Sequence, residues 1–174
     1  MSLRLARGWA VVGVVALLLR SAISLAGTGW STTVARGLSP WEWVGLCAVV
    51  GLFVWGEGVR ALARVWVPFV MGRVRALGAP GTSPRSELRY ALAPLWVVGL
   101  VASERRILAR AWTAVTAIVI AILLVRRTPD PWRGMIQLGV SGALLVGAAT
   151  LAVCYLREFS LAPSPRRAGC RLKG

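Results

Sequence analysis

Few residues in this chain are of types that do chemistry. Its 174 residues include six carboxylates, three cysteines and no histidine. The absence of histidine excludes a Ser-His-Asp triad and a His-ligated haem. Cys47, Cys154 and Cys170 form no C-x-x-C pair, so their spacing predicts neither an ordinary zinc site nor a disulfide framework. We therefore expect no enzyme activity, no metal and no other cofactor.

One carboxylate has an unusual setting in the stretch VWGEGVRALAR, residues 54–64. Glu57 lies between Gly56 and Gly58 after a long apolar run, and Arg60 follows three positions later. On a helix this spacing favours a local ion pair, and the glycines permit close approach of another helix. Three interpretations are open: a helix-end salt bridge at a packing point, a buried carboxylate that binds a cation or proton, or a contact with a partner protein.

A second charged group, Glu104, Arg105 and Arg106, comes just before a later apolar block. It is expected on the same side of the membrane as Glu57 and Arg60. The five residues are therefore a candidate polar cluster, whose arginines suit anionic lipid headgroups or phosphate. The alternative is that the second group is only a solvated anchor of the helix that follows.

Two segments with similar sequences are expected to begin helices, Ser-Pro-Trp-Glu at 39–42 and Asp-Pro-Trp-Arg at 130–133. In each, a capping side chain precedes a proline suited to the first helical position. Ser39 and Glu42 also have the spacing of a capping box. Glu42 and Arg133 occupy equivalent positions and would pair if their helices are neighbours; independent capping is the alternative.

The elements that position these residues follow from composition. Hydrophobic residues make up 57% of the chain, and the mean hydropathy is +0.69. Soluble domains contain less apolar material, and here it lies in long uncharged blocks. We predict an all-α membrane protein with four transmembrane helices in a single domain, residues 1–156. The expected spans are residues 8–26, 41–62, 110–126 and 133–156.

The positions of the basic residues predict the orientation. The formal charge is +15, and the 21 basic residues lie almost wholly between the apolar blocks. With four spans and both termini in the cytoplasm, most of them face the cytoplasm, as the positive-inside rule requires. No recognition module accompanies the charge, so nucleic acid is not an expected partner. The expected partner is the lipid bilayer of a bacterial cytoplasmic membrane, with its anionic headgroups.

Three further segments bear on the topology. Residues 64–105 mix arginines with apolar side chains, which is typical of a segment lying on the cytoplasmic surface. Within it the uncharged block 90–103 is about 21 Å long as a helix, too short to span, so it is either interfacial or re-entrant. Residues 157–174 are expected to form a flexible basic tail. The first apolar block is either a retained helix or a cleaved signal peptide.

Arg20 lies within or beside the first predicted span. If the helix ends at Leu19, Arg20 is its outer anchor. If the helix continues to Ala26, Arg20 lies below the membrane surface and needs a partner such as Glu42 or Asp130.

Several short motifs, including Glu57-Gly58-Val59-Arg60 and Pro131-Trp132-Arg133-Gly134, resemble those of a group of small uncharacterised bacterial inner-membrane proteins. The resemblance covers most of residues 39–145 and implies a membrane protein without an assigned activity. That group has a histidine before the Arg-Arg pair, where this chain has Val101-Ala102-Ser103.

The function predicted from the sequence is that of an accessory or scaffolding membrane subunit. It would bind a membrane-protein partner or form a homo-oligomer. The alternative is a small oligomeric transporter or channel subunit that uses Glu57 as a cation- or proton-linked carboxylate.

Overall fold

The computed structural model describes residues 3–76, 93–98 and 105–160. Within these ranges the chain consists of helices joined by short turns and contains no strand. The prediction of an all-α protein is confirmed for this part of the chain.

The helices are few and long. Helix α1 covers Leu3–Thr33 and continues into a 3-10 turn, Val34–Arg36. The next helix is continuous from Pro40 to Ala76 and is called the long helix here. It consists of α2 (Pro40–Phe53), a π-helical segment (Val54–Trp66) and α3 (Val67–Ala76). Then follow α4 (Ala93–Val98), α5 (Arg105–Arg126) and α6 (Trp132–Tyr155), which ends in a π-helical turn, Leu156–Ser160.

Local chemistry explains where the long helix begins. Gly37 has a positive φ of 78°, which glycine adopts without strain, and turns the chain after α1. The backbone N–H of Ser39 donates to Glu42 Oε2 at 2.8 Å, and the N–H of Glu42 donates back to Ser39 Oγ at 3.4 Å. The predicted capping box is therefore confirmed. The equivalent cap at Asp130 does not form, since Pro131 is the N-cap of α6 and no side chain caps it.

Three helices are long and apolar enough to cross a membrane: Leu5–Arg36, Pro40–Ala76 and Trp132–Phe159. They contain the predicted spans 8–26, 41–62 and 133–156, and each extends beyond them. The fourth predicted span, 110–126, lies in α5. The apolar part of α5, Val115–Arg126, is shorter than the roughly 20 residues of a typical transmembrane helix. Every side chain from Thr116 to Leu124 is exposed.

Helix α6 lies between α1 and the long helix and packs against both. Small residues on α6 make this possible. A Cβ added at Gly29 of α1 would lie 2.8 Å from the carbonyl oxygen of Gly134, so the two backbones are in contact there. On the other side of α6, an added Cβ at Gly139 would lie 3.0 Å from the Phe53 ring.

One buried apolar cluster joins all the helices except α5 and α2. It contains Ala10, Val11 and Val14 of α1, Val67, Val70, Met71 and Val74 of α3, Ala93 and Val97 of α4, and Leu151 and Cys154 of α6. Cys154 is disulfide-bonded, which the cysteine spacing did not predict, whereas Cys47 is free and exposed.

This cluster bears on residues 64–76, the first part of the segment 64–105 that was predicted to lie on the membrane surface. Residues 64–76 continue the long helix without a break, and four of their side chains are buried in the cluster. These four recur at i, i+3, i+4 and i+7, so they form one stripe that packs on the apolar faces of α1 and α6. Ala93 and Val97 are buried there as well. Residues 77–92 and 99–104 lie outside the described part of the chain.

The first four residues of the predicted tail, 157–160, are helical. The last helix continues through residues 157–160, and Glu158 and Phe159 are partly buried. The remaining residues of the tail, 161–174, are not among those described.

Candidate functional site

The polar side chains of the bundle lie at three levels. The upper end is the end where α1 finishes and both the long helix and α6 begin. Here Arg36 pairs with Asp130 at 3.3 Å, and Thr33 Oγ1 donates to the carbonyl oxygen of Pro131, also at 3.3 Å. Exposed tryptophans gather at this end: Trp30, Trp41, Trp43 and Trp132.

The predicted pair of Glu42 and Arg133 is not formed. Glu42 is engaged by Ser39, whose hydroxyl donates to Oε2 at 2.8 Å. Arg133 Nε is buried and has no hydrogen-bond partner, and the same is true of Gln137 Oε1, one turn further along α6. Asp130, rather than Glu42, supplies the carboxylate of the upper ion pair.

The middle level is fixed by two contacts with α6. Ser141 Oγ donates to the carbonyl oxygen of Ala22 at 2.9 Å, which aligns α1 with α6. On the long helix, a Cβ added at Gly58 would lie 3.1 Å from Ala143 Cα. Gly58 is therefore a point of close backbone packing. Gly56, by contrast, faces open space, and an added Cβ there would meet no atom within 4 Å.

Glu57 is exposed beside this packing point and does not pair with Arg60. The Arg60 guanidinium lies over the Trp55 ring instead, 4.3 Å from its centroid. Both residues belong to the π-helical segment, whose i→i+5 hydrogen bonds wind the chain more widely than an α-helix. Residues five apart then share a face and residues three apart do not. The predicted ion pair between Glu57 and Arg60 is not formed, because the prediction used the spacing of an α-helix.

Of the three remaining members of the predicted five-residue cluster, the structure describes the side chain of Arg105. Arg105 is the first residue of α5 and is exposed. Glu104 and the side chain of Arg106 lie outside what the structure describes. Of the cluster, the described side chains are thus those of Glu57, Arg60 and Arg105, and no ion pair joins them.

The lower end carries a charged group that the sequence did not predict. The Arg75 guanidinium binds both carboxylate oxygens of Glu158, with Nη2 at 2.7 Å from Oε2. Arg7 donates to the carbonyl oxygen of Arg75 at 3.2 Å and lies over the Phe159 ring. Arg73 lies over the Trp96 ring at 4.4 Å. The apolar pattern of Tyr155, Leu156 and Phe159 was the available signal, because it continues the last helix into the residues assigned to the tail.

The small residues of α6 are packing positions that were not predicted from the sequence. Gly139, Ala143 and Gly147 recur every fourth position and face Phe53, Gly58 and Leu62 of the long helix. This G-x-x-x-A-x-x-x-G pattern is a known signal for close packing of membrane helices. The glycines predicted to pack were instead the pair around Glu57, of which only Gly58 does so.

The interior of the described bundle offers little chemistry. Its two fully buried polar residues are Thr33 and Ser141, and each donates to a backbone carbonyl of a neighbouring segment. No three His, Cys, Asp or Glu side chains in the described ranges lie close enough to hold a metal ion. Arg133 Nε and Gln137 Oε1, which are buried without a hydrogen-bond partner, belong to residues that are themselves partly exposed.

The sequence matches no known family, and neither a curated protein nor a solved structure matches it. The resemblance to small bacterial inner-membrane proteins stays a prediction.

Proposed function

We propose that this chain is an integral protein of a bacterial cytoplasmic membrane and serves as an accessory or scaffolding subunit without catalytic activity. The observation that carries the proposal is the apolar outer surface of the long helices. Ile23, Leu52 and Val65 are exposed to about 70% of their surface (69%, 70% and 69%), and many other large apolar side chains are exposed with them. A soluble protein rarely exposes so continuous an apolar surface, whereas lipid is its natural solvent.

The direction of the helices supports four crossings. The long helix ends at the lower end, where Arg75 pairs with Glu158, but α6 begins at the upper end, beside Arg36. The chain between Ala76 and Trp132 must therefore return from one end of the bundle to the other. Helix α5 has 22 residues, about 33 Å at 1.5 Å per residue, and ends just before the upper turn. It is long enough to make that crossing.

The charges favour an orientation with the lower end in the cytoplasm. Arg7, Arg73, Arg75 and Arg157 are at or near this end, against Arg36, Arg126, Arg127 and Arg133 at the upper end. On the proposed topology the basic residues of segments 77–110 and 161–174 join the lower group and make it the larger one. The positive-inside rule assigns such an end to the cytoplasm, and both termini with it. The exposed tryptophans of the upper end then lie at the outer interface, and the lower arginines can bind anionic lipid headgroups.

The closed interior favours the accessory role. The described core is filled by Ala, Val, Met and Leu, and its buried hydroxyls are bonded to backbone. A transporter of a polar solute needs polar groups along a path, which the described core of one chain does not contain.

The exposed position of Glu57 keeps the alternative of an oligomeric transporter open. A carboxylate at the middle level of an apolar surface is costly in lipid and is commonly functional. In an oligomer it would lie between chains, where a cation or proton could reach it.

Native mass spectrometry distinguishes the accessory role from the transporter role. Tagged protein is extracted in mild detergent, and the components that remain bound to it are identified. The accessory role predicts a second, different membrane protein in fixed stoichiometry. It is contradicted by a particle that contains only this chain and lipid and that moves protons or cations in proteoliposomes.

The transport assay also tests Glu57 itself. We expect Glu57→Gln to leave ion flux at the background of empty liposomes, as in wild type. A wild-type flux that Glu57→Gln abolishes, and that Glu42→Gln on the same helix does not, would establish the transporter alternative.

A further inference from the structure

We propose that neighbouring copies of this chain pair in the membrane through ion pairs between Arg20 of one copy and Glu57 of the next. This inference rests on the membrane placement proposed above, and on neither of the two roles. It names a second copy of this chain as the occupant of the outer surface around these residues.

The two charges lie at the same level of the bundle. Arg20 is two residues below Ala22, whose carbonyl accepts from Ser141 at 2.9 Å. Because α1 and α6 run in opposite directions, two residues below Ala22 on α1 corresponds to two residues beyond Ser141 on α6, which is Ala143. Glu57 adjoins Gly58, which packs against that same Ala143. The level of Ala143 is therefore common to both side chains.

That level lies deep in the membrane. Ala143 is 11 residues after Trp132, the first residue of α6, and thus about 17 Å along the helix axis. The hydrocarbon core is about 30 Å thick, so this is close to its middle. Glutamate in particular has too short a side chain to reach either headgroup layer from there.

Among the described residues, no ion pair neutralises either charge within its own chain. Arg20 and Glu57 are both exposed, and the ion pairs among the described residues are Arg36 with Asp130 and Arg75 with Glu158. The carboxylates that the sequence offered as partners for Arg20 are thus already engaged, Asp130 by Arg36 and Glu42 by Ser39. A charged side chain at the centre of a bilayer costs at least about 2.5–3.5 kcal/mol on insertion scales, so a partner outside the chain is strongly favoured.

A second copy provides that partner without further adjustment. Two copies inserted with the same orientation hold Arg20 and Glu57 at the same depth, so opposite charges meet when the copies lie side by side. The surroundings permit close approach, since Gly56 faces open space and the exposed neighbours of Arg20 on α1 include Ala16 and Ser21. A Glu57 that is paired in this way is not free to bind a transported cation.

The test is a charge exchange between copies that carry different affinity tags. We expect wild-type copies to co-purify from detergent. Arg20→Glu copies and Glu57→Arg copies should each lose self-association by at least about tenfold, because like charges then meet at the contact. Co-expression of the two variants should restore association, since opposite charges are again opposed between unlike copies. The double variant Arg20→Glu/Glu57→Arg should also self-associate.

The controls separate the possible failures. Arg64→Glu reverses an exposed charge of the long helix away from the contact and should leave association unchanged. Association of Glu57→Arg copies at the wild-type level, or no recovery in the mixture while both variants remain folded in the membrane, overturns the proposal. A double variant that is stably folded in the membrane but monomeric would assign the ion pair to a single chain. That result would also overturn the proposal.

Two neutral variants keep the test decisive if reversed charges prevent insertion. Arg20→Gln and Glu57→Gln remove the attraction without adding repulsion and must still weaken association; undiminished association would reject the ion pair. Wild-type protein that alkaline carbonate strips from membranes would instead reject the membrane placement on which the inference depends.

Discussion

Hydroxyl groups inside this bundle show how single residues are accommodated where water is absent. Ser141 donates to Ala22 across the contact between α6 and α1, and Thr33 donates to Pro131 at the upper end. An unbonded hydroxyl in hydrocarbon is costly, so each is bonded to a backbone oxygen. The accepting backbone oxygen already belongs to a helix or turn. We therefore expect these bonds to align the two segments and to contribute little to the free energy of unfolding.

At this scale we predict that Ser141→Ala lowers the free energy of unfolding by about 0.6 kcal/mol, and by no more than about 1.7 kcal/mol, the range measured for hydrogen bonds between membrane helices. Unfolding of the purified protein in detergent measures the effect. Thr150→Ala is the matched control, because Thr150 Oγ1 donates to Val146 within the same helix at 2.7 Å. An equal loss in both variants would show that the bond between helices has no special role.

Helix α6 is the element on which the packing depends. Its small residues bring the backbone of α1 to Gly134 and that of the long helix to Ala143, on two different faces. Lipid offers apolar side chains as good a solvent as a neighbouring helix does, so the packing relies on close van der Waals contact. Contact of that kind is intolerant of added volume.

We expect Gly29→Ala to destabilise the bundle by about 1–3 kcal/mol, because its new Cβ would lie 2.8 Å from the carbonyl oxygen of Gly134. Gly27→Ala on the same helix meets nothing within 4 Å and should be neutral or slightly stabilising, since alanine favours helices. Thermal unfolding in detergent compares the two. Equal stabilities would mean that α1 and α6 are not in backbone contact at this point.

The sequence predicted those elements that depend on local pattern. The apolar blocks locate three of the long helices, and the spacing of Ser39 and Glu42 predicts the start of one of them. Contacts between distant residues were not accessible in the same way. Arg75 and Glu158 are 83 positions apart, and nothing in their local sequences links them. The pairing of Glu57 with Arg60 was predicted from α-helical spacing, which the π-helical winding does not follow.

The arrangement of the whole molecule requires the chain to return from its lower to its upper end between the long helix and α6. On the proposal that α5 makes this return through the bilayer, cysteines at Arg105 and Thr128 are expected to react with impermeant reagents from opposite sides of the membrane. The measurement uses a background without native cysteines, and a cysteine at Gly37 should label from the same side as Thr128. Labelling of positions 105 and 128 from one side would exclude α5 as a crossing.

The central place of α6 has a consequence for biosynthesis. α1 and α2 pack against α6 and not substantially against each other. During translation both helices are made well before α6. The faces that will contact α6 are therefore uncovered while the ribosome completes the intervening residues. Until α6 leaves the insertion machinery, the described parts of α1 and the long helix are therefore held together only where α3 and α4 pack on α1. We expect truncation before Trp132 to leave chains that quality-control proteases degrade, however well the first helices insert.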